Sequence, residues 1–166
     1  MTPQTRIGLL SGENGRPIVR VARRLNHDAG RVWRALTDED ELAVWYPIRV
    51  RIDPVAGGRI TFAFPGGEPF AGEVLDAHAP ELLVFTTRED VLHWTLRADG
   101  DGTELTLDNH VADPPHAPYT AAGFDISFDQ LATFLDAGPG AVTRIEMPPP
   151  DDLVARYSQS FAPPAA

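Results

Sequence analysis

The sequence predicts an α+β fold in which a curved antiparallel sheet wraps around one long C-terminal helix. Three observations predict it. Short stretches of alternating apolar and polar residues, separated by turn residues, recur from Arg6 to Val111. Two short helical patterns, Asp28–Thr37 and Asp38–Pro47, meet without a linker ahead of most of those stretches. One long amphipathic pattern then runs from Tyr119 to Ala137. A sheet folded around a helix commonly leaves a cavity between the two, so the layout itself points toward binding.

The elements follow in order. Arg6–Leu10 and Pro17–Asn26 read as a hairpin around Ser11-Gly12-Glu13-Asn14-Gly15, because Asn-Gly supplies the positive φ angles of a tight turn. Asp28 is placed to cap the first helix, whose apolar side carries Val32, Trp33 and Leu36. Thr37 or Asp38 caps the second, and Pro47 ends it. Strands are expected at Ile48–Asp53, Arg59–Phe64, Phe70–Ala77, Leu82–Arg88, Val91–Ala98 and Thr103–Val111. Asp99-Gly100-Asp101-Gly102 marks a hairpin between the last two, and the short connections imply an antiparallel meander. Thr120, Phe124, Phe128, Leu131 and Leu135 share one face of the long helix, which Gly138-Pro139-Gly140 stops. Pro148-Pro149-Pro150 reads as an extended spacer before a short amphipathic helix bearing Leu153, Tyr157 and Phe161.

Composition narrows the function classes. The 166 residues suffice for one domain with a proper core, at 43% hydrophobic and 23% charged. A net charge of −10 argues against nucleic acid and against an anionic membrane surface as partners. No apolar run approaches the roughly 20 residues of a membrane span, and the N-terminus lacks a signal pattern. A cytoplasmic protein is the simplest expectation. Without cysteine there is no disulfide, thiolate nucleophile or Cys-ligated metal; without lysine there is no Schiff-base chemistry. All 14 basic residues are arginine, which with the high Ala, Gly and Pro content looks like GC-rich bacterial codon usage. Ten arginines precede Thr61 while acids dominate after Asp99, an asymmetry that folding can neutralise internally.

Strand alternation turns Phe62, Phe64, Phe70, Leu83, Phe85, Trp94, Leu105 and Leu107 toward the long helix, where Phe124, Ser127, Phe128 and Leu131 face them. They either line a pocket for an apolar ligand or simply form the core. Trp45 belongs to the same candidate set. Tyr46, Asn109, Tyr119 and Ser127 are the polar groups expected to point inward, either as ligand anchors or in structural hydrogen bonds. The five histidines fit no metal-ligand spacing, so no metal is expected, and nothing implies a cofactor. His27 and His78 sit at turn-like positions expected to be solvated, and His93 and His110 alternate away from the interior. His116, in the loop before the long helix, is the one weak catalytic candidate, as a general acid or base. Asp38 to Glu41 read as a capped, solvated helix start. No Gly-x-Ser-x-Gly elbow is present.

Val32-Trp33-Arg34-Ala35-Leu36-Thr37, Leu42-x-x-Trp45, Gly57-Gly58-Arg59, Gly72-Glu73-Val74-Leu75, Leu82-Leu83-Val84-Phe85-Thr86 and Ala122-Gly123-Phe124 together resemble the START-like (SRPBCC) superfamily. Within it the chain is most similar to the group named after the activator of the heat-shock-protein-90 ATPase, from about Arg20 to Ala137. Two positions depart from that pattern. Phe124 stands where a tryptophan is usual, and Asn109 where the last strand often has a histidine, so any role of that histidine is not carried over. The resemblance implies a helix-grip fold over residues 1–138, including the N-terminal hairpin. Residues 139–166 then form a Pro-rich tail whose short helix packs on the domain. It further implies a small-molecule binding protein holding a hydrophobic ligand between sheet and helix, as carrier, sensor or accessory factor. A cyclase-, dehydratase- or hydrolase-like enzyme on a polyketide-like or other apolar substrate is the first alternative. A protein-interaction or co-chaperone-like module is the second. A homodimer through the hairpin or the tail is compatible with either.

Overall fold

The computed structural model describes residues 3–143 and 148–163. Residues 144–147 and 164–166, which fall within the expected tail, lie outside the described residues. The described residues build an eight-stranded sheet. Its strands are β1 (Arg6–Ser11), β2 (Pro17–Leu25), β3 (Arg49–Ile52), β4 (Arg59–Ala63), β5 (Phe70–His78), β6 (Leu82–Thr87), β7 (Asp90–Asp99) and β8 (Gly102–His110). The spatial order is β1-β2-β8-β7-β6-β5-β4-β3, and every pairing is antiparallel. Four α-helices accompany the sheet: α1 (Ala29–Thr37), α2 (Glu39–Trp45), α3 (Ala117–Ala137) and α4 (Asp151–Phe161). The fold is α+β helix-grip, with α3 two residues longer at its start than Tyr119 predicts.

The two small helices meet without a linker because one residue serves both. Asp38 is extended (φ −83°, ψ 124°), and its N–H closes the last turn of α1 on the Arg34 carbonyl. Its Oδ1 accepts from the Glu41 N–H at 3.1 Å and starts α2. Asp28 caps α1 in the same way, accepting from the Arg31 N–H at 2.8 Å. The helices are locked by the Trp45 indole, which donates to the Ala35 carbonyl at 2.9 Å and is fully buried. Asp38→Ala removes the cap of α2 and is expected to cost about 1 kcal/mol, read as a lower midpoint in urea unfolding.

Helix α3 is buried on more than the one predicted face. Phe124, Phe128 and Leu131 pack into the core, but Ala122, Gln130, Ala132 and Phe134 are buried as well. Part of that cover is α4. Tyr157 and Phe161 pack against the core, and the Tyr157 hydroxyl donates to Asp125 at 2.7 Å. Burial first, and then that carboxylate, push the Tyr157 phenol up.

The early arginines find the late acids. Arg20 holds Asp108 through two hydrogen bonds of 2.7 and 2.8 Å, Arg23 meets Asp129 at 2.7 Å, and Arg24 meets Asp99 at 3.1 Å. Arg6 pairs with Glu104. Part of the uneven charge along the chain is thus paired internally, from β1 and β2 to β7, β8 and α3.

Candidate functional site

Between the sheet and α3 the space is filled at one end and open at the other. Trp94 fills it. Its ring stacks on Phe128 (centroids 5.9 Å, planes 12° apart) and meets Phe124 at 6.0 Å, Trp45 at 6.3 Å and Tyr46 at 6.5 Å. Beyond this block, toward the start of α3, lies a cleft of about 540 Å³. That is within the ordinary range for a small-molecule site, roughly 300–1,000 Å³.

Three stretches make its walls. The end of α2 and the segment after it bring Tyr46, Pro47 and Ile48. The sheet brings Phe62, Phe64, Leu92 and Asn109, together with the β6–β7 turn Thr87-Arg88-Glu89-Asp90. The approach to α3 and its first turns bring Ala112, Asp113, His116, Tyr119, Thr120, Gly123 and Phe124. The aromatic walls are mutually braced, since Tyr46 meets Phe124 edge-on at 6.2 Å and Phe62 stacks on Phe70 at 5.4 Å.

Of the candidates drawn from sequence, Tyr46, Phe62, Phe64, Asn109, His116, Tyr119 and Phe124 come together on this cleft. Trp45, Phe70, Phe85, Trp94, Leu107, Ser127 and Phe128 are not on its wall. Trp45, Phe85, Trp94, Leu107 and Phe128 are core. Phe70 stacks behind Phe62, and the Ser127 hydroxyl donates back along α3 to the Gly123 carbonyl at 2.9 Å. The physical reason is depth. Alternation gives the face of a strand, while the large rings of Trp94 and Phe128 decide how far along α3 that face stays empty. Phe64 corrects the inward expectation differently. The strand ends at Ala63, so Phe64 sits 41% exposed at the rim.

The polar groups were less legible. Asn109 is 2% exposed and donates through Nδ2 to Asp90 Oδ2 at 3.0 Å. Asp90 Oδ1 accepts from the Ala112 N–H at 2.9 Å. Asp90 thus ties the start of β7, the end of β8 and the approach to α3 into one polar corner. The Tyr46 phenol is pushed up by burial, with no hydrogen bond among the described residues. At the mouth the His116 ring meets Tyr119 at 4.7 Å with the planes tilted by 34°, and burial raises the Tyr119 phenol. Arg88 has φ 54° in the two-residue β6–β7 loop, and its guanidinium lies over the Phe70 ring at 4.3 Å. Sequence reasoning missed Arg88, Glu89 and Asp90. A backbone with Arg88 at positive φ is what carries this turn to the cleft, and strand periodicity says nothing of it.

The remaining histidines lie elsewhere. His93 and His110 meet at 4.8 Å away from the core residues Trp94 and Leu107, as alternation predicts; burial and then His110 lower the His93 pKa. His78 pairs with Asp76. His27 corrects the expectation of a solvated ring, being half-buried with Nε2 2.8 Å from Asp136. No group of three or more His, Asp or Glu among the described residues is placed to hold a metal. No helix of the described residues is long and apolar enough to cross a membrane.

Comparison with known proteins agrees with this fold. Among solved structures, a conserved protein of unknown function from Enterococcus faecalis superposes with a TM-score of 0.76 at 19% identity, covering 94% of this chain and 90% of its own. CalU16 from Micromonospora echinospora gives 0.68 at 18% identity, over 97% of this chain and 96% of its own. DynU16, from the dynemicin biosynthetic locus, gives 0.65 at 24% identity, over 76% of this chain and 49% of its own. These likenesses concern the fold. No curated protein matches the sequence. Residues 26–136 match the family described as activator of Hsp90 ATPase homolog 1-like protein. With the helix-grip fold and the matched span, the chain belongs to this family within the START-like superfamily.

Proposed function

We propose that the chain is a binding protein for an apolar small molecule, held in the cleft between the sheet and the start of α3. The observation that carries this reading is a cleft of about 540 Å³ with aromatic walls and a few buried polar groups. Tyr46, Phe62, Phe64, Tyr119 and Phe124 supply the apolar contacts, and Asn109 and Tyr46 supply orientation. The remaining aromatics of the sequence reading act from behind, by holding these rings in place. A second depression of about 730 Å³ lies along α2, β3 and β4, but it mixes Glu39, Asp40, Arg49 and Arg51 on its walls and suits an apolar occupant less well.

Nile red, a neutral apolar dye, tests the reading. It is expected to bind saturably with enhanced fluorescence. Thr120→Trp places an indole in the cleft from the second turn of α3, and is expected to weaken that binding at least tenfold while leaving the unfolding midpoint nearly unchanged. Equal binding by wild type and Thr120→Trp would remove the cleft as the site.

One observation favours an enzyme as the second reading. His116, Tyr119 and Asn109 share the same cleft, and His116 and Tyr119 are in ring contact. In that reading His116 moves a proton at the mouth while the aromatic walls hold the substrate. His116→Ala would then abolish turnover of a bound apolar substrate without weakening Nile red binding. The co-chaperone-like alternative has less support, because Tyr157 and Phe161 of α4 pack on their own core.

A further inference from the structure

The polar end of the cleft is wired as a hydrogen-bond acceptor. Asp90 spends one carboxylate oxygen on the Ala112 N–H and the other on Asn109 Nδ2. A carboxylate only accepts, so the Asn109 amide has one sensible orientation. Turning it over would set its oxygen against Asp90 Oδ2. The NH₂ group therefore faces Asp90, and Oδ1 faces away from it, without a donor among the described residues. Asn109 is 2% exposed as a residue and lies on the cleft wall, and its Oδ1 is not among the fully buried atoms that lack a partner, so this oxygen opens onto the cleft as a free acceptor. The Tyr46 hydroxyl, also on the wall, rotates to donate or accept and does not discriminate. The charges around the cleft run the same way. Three carboxylates, Glu89, Asp90 and Asp113, stand against the single guanidinium of Arg88, whose face lies over Phe70.

We infer that the cleft selects an apolar molecule whose polar end is an uncharged hydrogen-bond donor, a hydroxyl, phenol or amide N–H, over one ending in a carboxylate or an ester. The inference rests on the proposed binding function and names the class of ligand for it. A donor satisfies Asn109 Oδ1. A carboxylate or ester sets acceptor against acceptor, and a carboxylate also meets the surrounding acids.

Displacement of Nile red by 1-decanol, methyl decanoate and decanoate tests it on the unmodified chain. Decanoate loses affinity in any apolar site through its own dehydration, so methyl decanoate is the decisive comparison. It matches the chain and is neutral, but only accepts. Decanol is expected to displace the dye at about fivefold lower concentration than methyl decanoate, the net effect of one hydrogen bond. Asp90→Asn gives the second arm. Its single amide oxygen stays with the Ala112 N–H, so its NH₂ faces Asn109, which turns over and presents a donor to the cleft. Methyl decanoate should then gain, and come within about twofold of decanol. Equal displacement by the two in wild type would overturn the inference. So would decanoate displacing best with that preference lost in Arg88→Gln, which would make Arg88 the anchor for an anion. If Nile red itself does not bind, the binding function fails first and the ligand class fails with it.

Discussion

Trp94→Ala is expected to lower stability by about 3–5 kcal/mol, against a total of about 5–15 for a domain of this kind. The side chain is 1% exposed and touches Trp45, Tyr46, Phe124 and Phe128. Truncation leaves a void that these rings, tied to α2, α3 and the sheet, cannot all collapse into. Trp94→Phe should be much milder, near 1 kcal/mol. The indole Nε1–H is buried without a partner, so losing it forfeits no hydrogen bond and removes an unsatisfied donor. The neighbouring void, lined by Leu36, Leu42, Ile60, Leu83 and Phe85 among others, is about 10 Å³ and apolar, so it offers a bridging water no polar partners. Urea unfolding of both variants checks the pair. Equal losses would mean that ring volume is not what Trp94 contributes.

Gly72→Ala is expected to cost about 2–3 kcal/mol by overpacking. A Cβ built at Gly72 would stand 2.0 Å from the Thr86 carbonyl oxygen and 3.0 Å from its carbon, so backbone has to move. The position matters because β5 changes partner there. Gly72 pairs with Ile60 of β4, whereas pairing with β6 begins at Val74 and Phe85, followed by a shift of register between Val74 and Asp76. A Cβ at Gly72 would also stand 3.2 Å from the side chain of Ile60, its partner on β4 and two residues before Phe62 on the cleft wall, so a backbone shift at Gly72 reaches that wall. The variant should therefore weaken Nile red binding as well as stability. Gly8→Ala is the control: a Cβ there meets nothing within 4 Å, and a change within about 0.5 kcal/mol is expected.

Much of this fold could be read from the residues because its local signals agree. Asn14-Gly15, Gly57-Gly58 and Asp99-Gly100 place turns where the strands end, and Ile60 and Phe62 alternate inward in β4 as the pattern requires. Asp28 and Asp38 cap the helices that their spacing assigns to them. The candidate cleft was legible only in part. Tyr46, Phe62, Tyr119 and Phe124 follow from face and position. Periodicity points Trp94 and Phe128 at the same wall as well, because it reports direction and not occupancy, and their stacking closes that end. Arg88 and Asp90 escaped because their place depends on a two-residue loop with a left-handed residue. The Asp90–Asn109 bond depends on cross-strand register, since Leu92 stands opposite Asn109 and Thr87 opposite Asp90. Neither leaves a mark in local sequence.

The most direct test of the binding function is a two-dimensional ¹H–¹⁵N NMR titration with 1-decanol. Saturable shifts confined to the amides of Tyr46, Ile48, Arg88–Asp90, Asn109, Ala112 and Thr120–Phe124 are expected. No saturable shift, or shifts centred on Leu153–Phe161 of the tail helix, would contradict a cleft built to hold an apolar molecule.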